Sequence, residues 1–391
     1  MSYWKKMIWA LAMLSLVAFG CDDDDSVEDA STDADTDTDT DADTDSDTDT
    51  NSDTDTNVVT ATTAVITTTD YSTGATSTVA TDSLIVNATL EVVHSDTVCR
   101  FDAVTGKMFL IHRQGGDAIS VLDEANGFVT SAQYSVEAGS NPQDIAVVSA
   151  NRAYVPRLGS TELLVVNPLT GVEIERINLS TYADADGYPE PVQTVAVDGT
   201  VFVVLERVDQ DNYWAPTAYS SVLLLDGETG AVETEVQLTG TNPTGIVRYN
   251  DVVDGLILVE TGNYGVQDGG VEVLSTDGTA GGFILTEATL GGDVADAIVT
   301  ASDMGFAVYS TPEYLTRLVT FNPQDGTVKN TLIESAGYDL AYLGYYDGQV
   351  WVADRTSTAP GIRIFDAATG VEQTAAPIDV GLPPSMICFM E

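Results

Sequence analysis

Positive charge is scarce in this chain. Against 61 Asp and Glu stand 14 Lys and Arg and 2 His, for a formal net charge of -47 over 391 residues. A nucleic-acid binder neutralises phosphates with Lys and Arg, so the balance argues against that class. The two histidines, His94 and His112, are too few for a multi-histidine metal or haem centre, and no G-x-S-x-G nucleophile motif occurs. The three cysteines, Cys21, Cys99 and Cys388, form no C-x-x-C pair and have no histidine beside them, which argues against zinc. Long apolar runs are also missing. The run from Met7 to Phe19 is thirteen residues, short of the roughly 20 that span a bilayer.

What the chain has in abundance is a repeat. From Asn141 to Leu179, the runs IAVV, RAYVP, ELLVVN and EIERINL are separated by turn residues, the pattern of a four-stranded antiparallel meander. Between its third and fourth runs lies Thr170-Gly171, a pair suited to a tight hairpin that needs positive φ. Equivalent pairs end in Gly127, Gly230, Gly278, Gly326 and Gly370, so that successive glycines are 44, 59, 48, 48 and 44 residues apart. First strands align separately as DTVCRF, DIAVV, TVAV, GIVRY, DAIVT, DLAYL and MICFM. Both alignments predict seven units of four strands, an all-β, seven-bladed β-propeller. Residues 63–94 supply three strands and lack a first one, while Pro384 to Met390 is a spare first strand. The ring is therefore expected to close by sharing one blade between the two ends of the repeat region, which removes exposed sheet edges.

Three segments follow from composition. Lys5 and Lys6 before the apolar run read as a secretory signal over residues 1–20. Residues 21–57 hold 16 Asp, one Glu and no Lys or Arg, mostly as Asp-Thr and Asp-Ala alternation. That stretch reads as a disordered acidic tether, reaching on the order of 100 Å if fully extended. Residues 58–391 carry the propeller.

Two resemblances can be stated on these residues. VAFGC resembles the lipobox of bacterial lipoproteins: Gly20 and Cys21 match, whereas Ala18 and Phe19 depart from its usual Leu and small residue. It implies lipid on Cys21 and a place in the cell envelope, with the outer membrane or cell surface favoured, although Asp22 is an inner-membrane retention signal in some bacteria. NPQDIAVV, RAYVPR, LLVVNPLTG, NPTGIV, LLLDGETG, VWVADR and IFDAATG resemble YVTN-type seven-bladed propellers of bacterial surface and secreted proteins. Such repeats specify a scaffold that serves hydrolases such as lactonases, quinone-linked dehydrogenases and pure binding modules alike.

Candidate functional residues gather on one expected face. The loops TYADADGYPE, VDQDNYWAPTAYS, TGNYGVQDGG and STPEYLT bring Tyr182, Tyr188, Tyr213, Trp214, Tyr219, Tyr264 and Tyr314 together, the material of a binding surface. Asp184, Asp186 and Glu190 around Gly187 have the alternating carboxylates of a calcium loop without the full EF-hand spacing. Arg113, Arg157, Arg207 and Arg355 each fall near the end of a second strand, and Asp144, Asp296 and Asp339 stand before first strands. They are expected to alternate round the channel mouth, either as ion pairs between blades or with a guanidinium left for an anionic ligand. His94 and Asp96 are the candidate base and orienting carboxylate of a lactonase-like or other hydrolytic enzyme. The principal expectation is a non-catalytic binding or interaction module with no organic cofactor, whose partner is a protein, a glycan or a small anionic ligand. A structural envelope component is the remaining alternative. Cys99 and Cys388 share a register in neighbouring first strands. An oxidising envelope permits a disulfide, whereas side chains pointing the same way round the ring work against the close Cβ approach it needs.

Overall fold

The structure, a computed structural model, describes residues 62–217 and 219–390. Cys21, the leader and the acidic tract lie outside the described residues. No helix among those described is long and apolar enough to cross a membrane.

Seven antiparallel sheets form the blades of a β-propeller. Blade 2 illustrates the pattern, with β4 (Thr97–Asp102), β5 (Lys107–His112), β6 (Ala118–Leu122) and β7 (Thr130–Ser135) paired in sequence order. Blade 3 repeats it with β8 (Ala146–Ser149), β9 (Arg152–Val155), β10 (Glu162–Val166) and β11 (Glu173–Asn178). In blade 4, β12 (Pro191–Val197) and β13 (Thr200–Leu205) are followed by a two-stranded insertion, β14 (Val208–Asp209) and β15 (Ala215–Pro216), before β16 (Ser221–Asp226) and β17 (Val232–Gln237). Blade 5 comprises β18 (Arg248–Asn250), β19 (Gly255–Glu260), β20 (Gly270–Ser275) and β21 (Ala280–Thr286), and one helical turn, α1 (Glu287–Leu290), leads on. Blade 6 comprises β22 (Asp293–Ala301), β23 (Met304–Ser310), β24 (Leu315–Asn322) and β25 (Thr327–Ala336).

Sequence explains the layering within a blade. Second strands such as MFLIH in β5, VFVVL in β13 and LILV in β19 are buried along their whole length, because a sheet between two others needs apolar residues on both faces. Outer strands such as TSAQYS in β7 and VETEVQ in β17 are largely exposed and polar. The six glycines that spaced the repeat all lie at φ between 69° and 84°, the left-handed region that a Cβ disfavours. Apolar clusters fill the gaps between consecutive blades.

Blade 7 departs from the expected four strands. Its sheet holds β26 (Leu340–Tyr346), β27 (Gln349–Asp354) and β28 (Gly361–Asp366), and its outer edge is reduced to isolated bridges at Glu372 and Ile378. Pro377 lies within that outer segment and has no N–H to give a ladder.

The ring closes as expected from the spare strand. β29 (Pro384–Phe389) takes the innermost place beside β1 (Thr63–Thr69), followed by β2 (Gly74–Ala80) and β3 (Val86–Val93). Thr67 Oγ1 and Ser385 Oγ meet at 2.9 Å across the junction. The seam cluster joins blades 7, 1 and 2, with Phe389 stacked on Tyr346 at 5.2 Å and edge-on to Trp351 at 5.3 Å. Burying such rings contributes about 1.5–3 kcal/mol each. A Cys99–Cys388 disulfide crosses from blade 2 to blade 1, with Cα atoms 6.1 Å apart. The argument from shared register against this bridge is thereby corrected. First strands are the innermost ones, and near the axis neighbouring blades approach closely enough for equivalent side chains to meet.

Candidate functional site

The second and third strands of each blade, and the passages between blades, connect on one face; the tight glycine hairpins occupy the other. On the loop face, the candidate catalytic pair is not joined through its carboxylate. His94 Nδ1 faces the main chain of Asp96 at 3.2–3.3 Å, while the Asp96 carboxylate accepts from Arg113 Nε and Nη2 at 2.8 and 2.6 Å. His112 is buried between Thr97 Oγ1 and Ser120 Oγ at 2.9 and 2.8 Å. Burial, then the charge of His94, lowers its pKa to about 4.

The other candidate arginines are also engaged. Arg157, fully buried, donates to Glu137 at 2.8 Å and to the carbonyls of Val136 and Glu162 at 3.2 Å. Arg207 reaches Glu235 at 3.4 Å and lies over the Tyr219 ring at 4.1 Å. Arg355 donates to the carbonyls of Thr69, Pro383 and Pro384 and lies 4.8 Å from the Tyr71 ring. It ties blade 7 to the closing blade.

Asp144 and Asp296 have partners that the sequence reading did not single out. Arg100 of β4 grips Asp144 through Nε and Nη2, and the Thr194 N–H of β12 donates to the same carboxylate at 3.1 Å. Arg248 of β18 likewise grips Asp296 at 2.8 and 3.0 Å, and the Leu343 N–H of β26 donates to it at 2.8 Å. Each clamp joins three consecutive blades: 2, 3 and 4 in one case, 5, 6 and 7 in the other. The signal was available, since Arg100 in DTVCRF and Arg248 in GIVRY hold the same penultimate position. Asp339 does not belong to this set. It precedes β26, and its carboxylate instead takes the Ser335 hydroxyl.

Blade 4 carries the most developed constellation. One carboxylate oxygen from each of Asp184, Asp186 and Glu190 lies within 4.8 Å of the others. The Asp186 N–H donates to Asp184 Oδ1 at 3.1 Å, and the Tyr188 N–H to Asp186 Oδ1 at 2.9 Å. Gly187 at φ 92° turns the loop back, and Glu190 sits at φ 44°, an uncommon backbone for a non-glycine residue. Glu190 is 0% exposed. Its Oε1 accepts from Gln210 Nε2 at 2.9 Å, but Glu190 Oε2 and Asp184 Oδ2 are buried with no hydrogen-bond partner. Burial first, then the neighbouring carboxylates, pushes Glu190 up to about 8 and raises Asp184 as well. Buried carboxylate oxygens without donors cost stability unless a cation meets them. The triad can hold a metal ion, and an all-oxygen donor set suits a hard cation.

Directly against this triad stands the inserted hairpin with Tyr213 and Trp214. These two are 56% and 42% exposed, and Tyr188, Tyr264 and Tyr314 of the same face are also exposed. Surrounding protein pushes the Tyr264 hydroxyl up to about 12.

The fold and this site define a seven-bladed β-propeller with one elaborated face. No protein-family model and no curated protein matches the chain. Solved structures do match in shape. Hydrazine synthase of Kuenenia stuttgartiensis is 14% identical over 76% of this chain and 91% of that one, with a TM-score of 0.57. Dihydro-heme d1 dehydrogenase NirN, in complex with DHE, is 13% identical over 84% of this chain and 75% of that one, with a TM-score of 0.55. A functionally unknown protein from Desulfotomaculum acetoxidans is 10% identical over 84% and 98%, with a TM-score of 0.52. At these identities the likeness is one of fold alone.

Proposed function

We propose that this protein is a non-catalytic binding module of a bacterial cell envelope. Lipid on Cys21 holds it to a membrane, and the loop face of its propeller is the working surface. Calcium at Asp184, Asp186 and Glu190 organises that surface, and the exposed aromatics around it contact a protein or glycan partner. The observation that carries the reading is the pair of buried, donorless oxygens, Glu190 Oε2 and Asp184 Oδ2, beside a loop that presents Tyr213 and Trp214. An anionic small ligand has less support, because Arg113, Arg157, Arg207 and Arg355 are all engaged within the protein. Envelope location rests on the lipobox resemblance and the acidic tether.

Thermal unfolding with calcium and with chelator tests the metal. A ligand raises the melting temperature only through binding that favours the folded state, so carboxylates of the tether contribute little to the shift. Calcium is expected to stabilise the wild type, and Asp186→Asn is expected to abolish most of the gain. Equal response in both proteins refutes the site. Turnover of a lactone that is lost in His94→Ala would favour the hydrolase instead.

A further inference from the structure

We infer that calcium fastens the aromatic hairpin of blade 4 through Gln210, so that the surface bearing Tyr213 and Trp214 is set only when the metal is bound. The inference rests on the calcium reading above and adds the residue that transmits occupancy to the ligand face.

Gln210 is the residue that two of the three carboxylates share. Its main-chain N–H donates to Asp186 Oδ2 at 2.8 Å, and its Nε2 donates to Glu190 Oε1 at 2.9 Å. The Glu206 N–H adds a bond to the Glu190 carbonyl at 2.9 Å. The oxygens left over, Asp184 Oδ2 and Glu190 Oε2, are the donorless pair. A cation on those two would thus leave both bonds to Gln210 intact.

Downstream of Gln210 the backbone is held in an unfavourable shape. After the short turn Gln210–Asn212, Tyr213 and Trp214 adopt φ of 61° and 57°, two successive side-chain-bearing residues in the left-handed region. That region brings Cβ close to the following carbonyl, and such strain persists only where surroundings over-determine it. Within the hairpin, support includes a two-residue ladder between β14 and β15, the Trp214 N–H to the Asp209 carbonyl at 3.0 Å, Thr217 on the Arg207 carbonyl, and the N–H groups of Asp211 and Asn212 on Asp209 Oδ1 at 3.1 Å. Gln210 on the carboxylates ties this hairpin to the 184–190 loop. One carboxylate oxygen from each of the three lies within 4.8 Å of the others. A cation that neutralises them keeps the 184–190 loop under the hairpin.

The test uses the full chain, calcium alone, and two readouts: hydrogen exchange of residues 184–190 and 208–216, and the emission of Trp214. Trp351 is fully buried in blade 7, and Trp214→Phe identifies the signal that belongs to the hairpin. With calcium a hundredfold above its Kd, exchange in both segments should slow by about a hundredfold, and Trp214 emission should change. In Gln210→Pro, which removes both the main-chain N–H and the side-chain amide at the first position of its turn, where proline is tolerated, residues 184–190 should still slow at saturating calcium, while residues 208–216 and Trp214 should no longer respond. If the hairpin responds in Gln210→Pro as in the wild type, or fails to respond in the wild type while residues 184–190 do, the coupling is overturned and calcium binding stands. If residues 184–190 do not respond in the wild type, the calcium reading falls and the coupling with it.

Discussion

The two faces of the ring use the same residue types in opposite ways. On the hairpin face, Asp277 and Asp325 are exposed and Asp226 and Asp366 partly so, and threonine hydroxyl and main-chain N–H bonds hold their carboxyls below the usual range. On the loop face, burial pushes Glu190 and Glu287 up to about 8, Glu206 to about 7 and Glu260 to about 10. Asp70, also on the loop side, behaves like the hairpin set because its tight turn supplies N–H donors from Ser72 and Thr73. The contrast is therefore one of surroundings. Carboxylates of the hairpin face complete turns at little cost, whereas several of the loop face are buried at a cost in stability. Such costs gather at functional sites more than in scaffolding.

The largest effect should come from a loop-face carboxylate that is gripped by an arginine. Asp296→Ala strands Arg248 in the interior and breaks a link across blades 5, 6 and 7, and is expected to cost about 3–5 kcal/mol in denaturant unfolding. Asp277→Ala on the opposite face should leave the unfolding midpoint near that of the wild type. Equal losses from the two would erase the distinction between the faces.

Glu260 sharpens the comparison with the opposite sign. It is fully buried beside Glu272, whose carboxylate takes the N–H and hydroxyl of Thr239 at 2.8 and 2.7 Å. Burial, then Glu272, raises Glu260 from 4.5 to about 10. Between those values the folded state keeps a proton that the unfolded chain has released, so stability falls as pH rises through that window. Glu260→Gln keeps a neutral donor and removes this slope. It should be more stable than the wild type by about 1–3 kcal/mol at pH 7, with the difference vanishing towards pH 4.5. Parallel stability-pH curves for the two proteins would show that Glu260 is ionised.

The smallest effect belongs to the hairpin turns. Gly326→Ala places a Cβ at φ 69° and 3.1 Å from the Ile284 carbonyl oxygen. It should cost about 1 kcal/mol and leave calcium binding unchanged. A loss of calcium response in this variant would mean that the faces are not independent.

Residues whose role is local could be read from the chain. The turn glycines, the apolar second strands and the spare strand at Pro384–Phe389 each carry their information within a few positions. Features set by neighbouring blades could not be read this way. Arg100 meets Asp144 across 44 positions and Arg248 meets Asp296 across 48, one repeat away, so the pairing depends on how blades pack. Asp339 looked equivalent to Asp296 because both stand before an apolar run, yet it is the Leu343 N–H that meets Asp296, and Asp339 takes the Ser335 hydroxyl. Cys99 and Cys388 were aligned correctly, but the nearness of innermost strands is a property of the closed ring. The triad of Asp184, Asp186 and Glu190 was visible as a pattern. The burial that leaves Glu190 Oε2 without a donor arises from the packed hairpin above it.

Sharing blade 1 between distant parts of the chain also sets an order of events in time. Thr67 and Ser385, which meet across the seam, are separated by 318 positions. β1 therefore stays without the strand that covers it until the rest of the ring has formed. Throughout that interval the Val65 and Ile66 edge has no partner on its inner side. Six blades can assemble meanwhile from contacts close in sequence, and the slowest, least local pairing is left to the end. The folding chain depends on whatever shields that edge until β29 arrives.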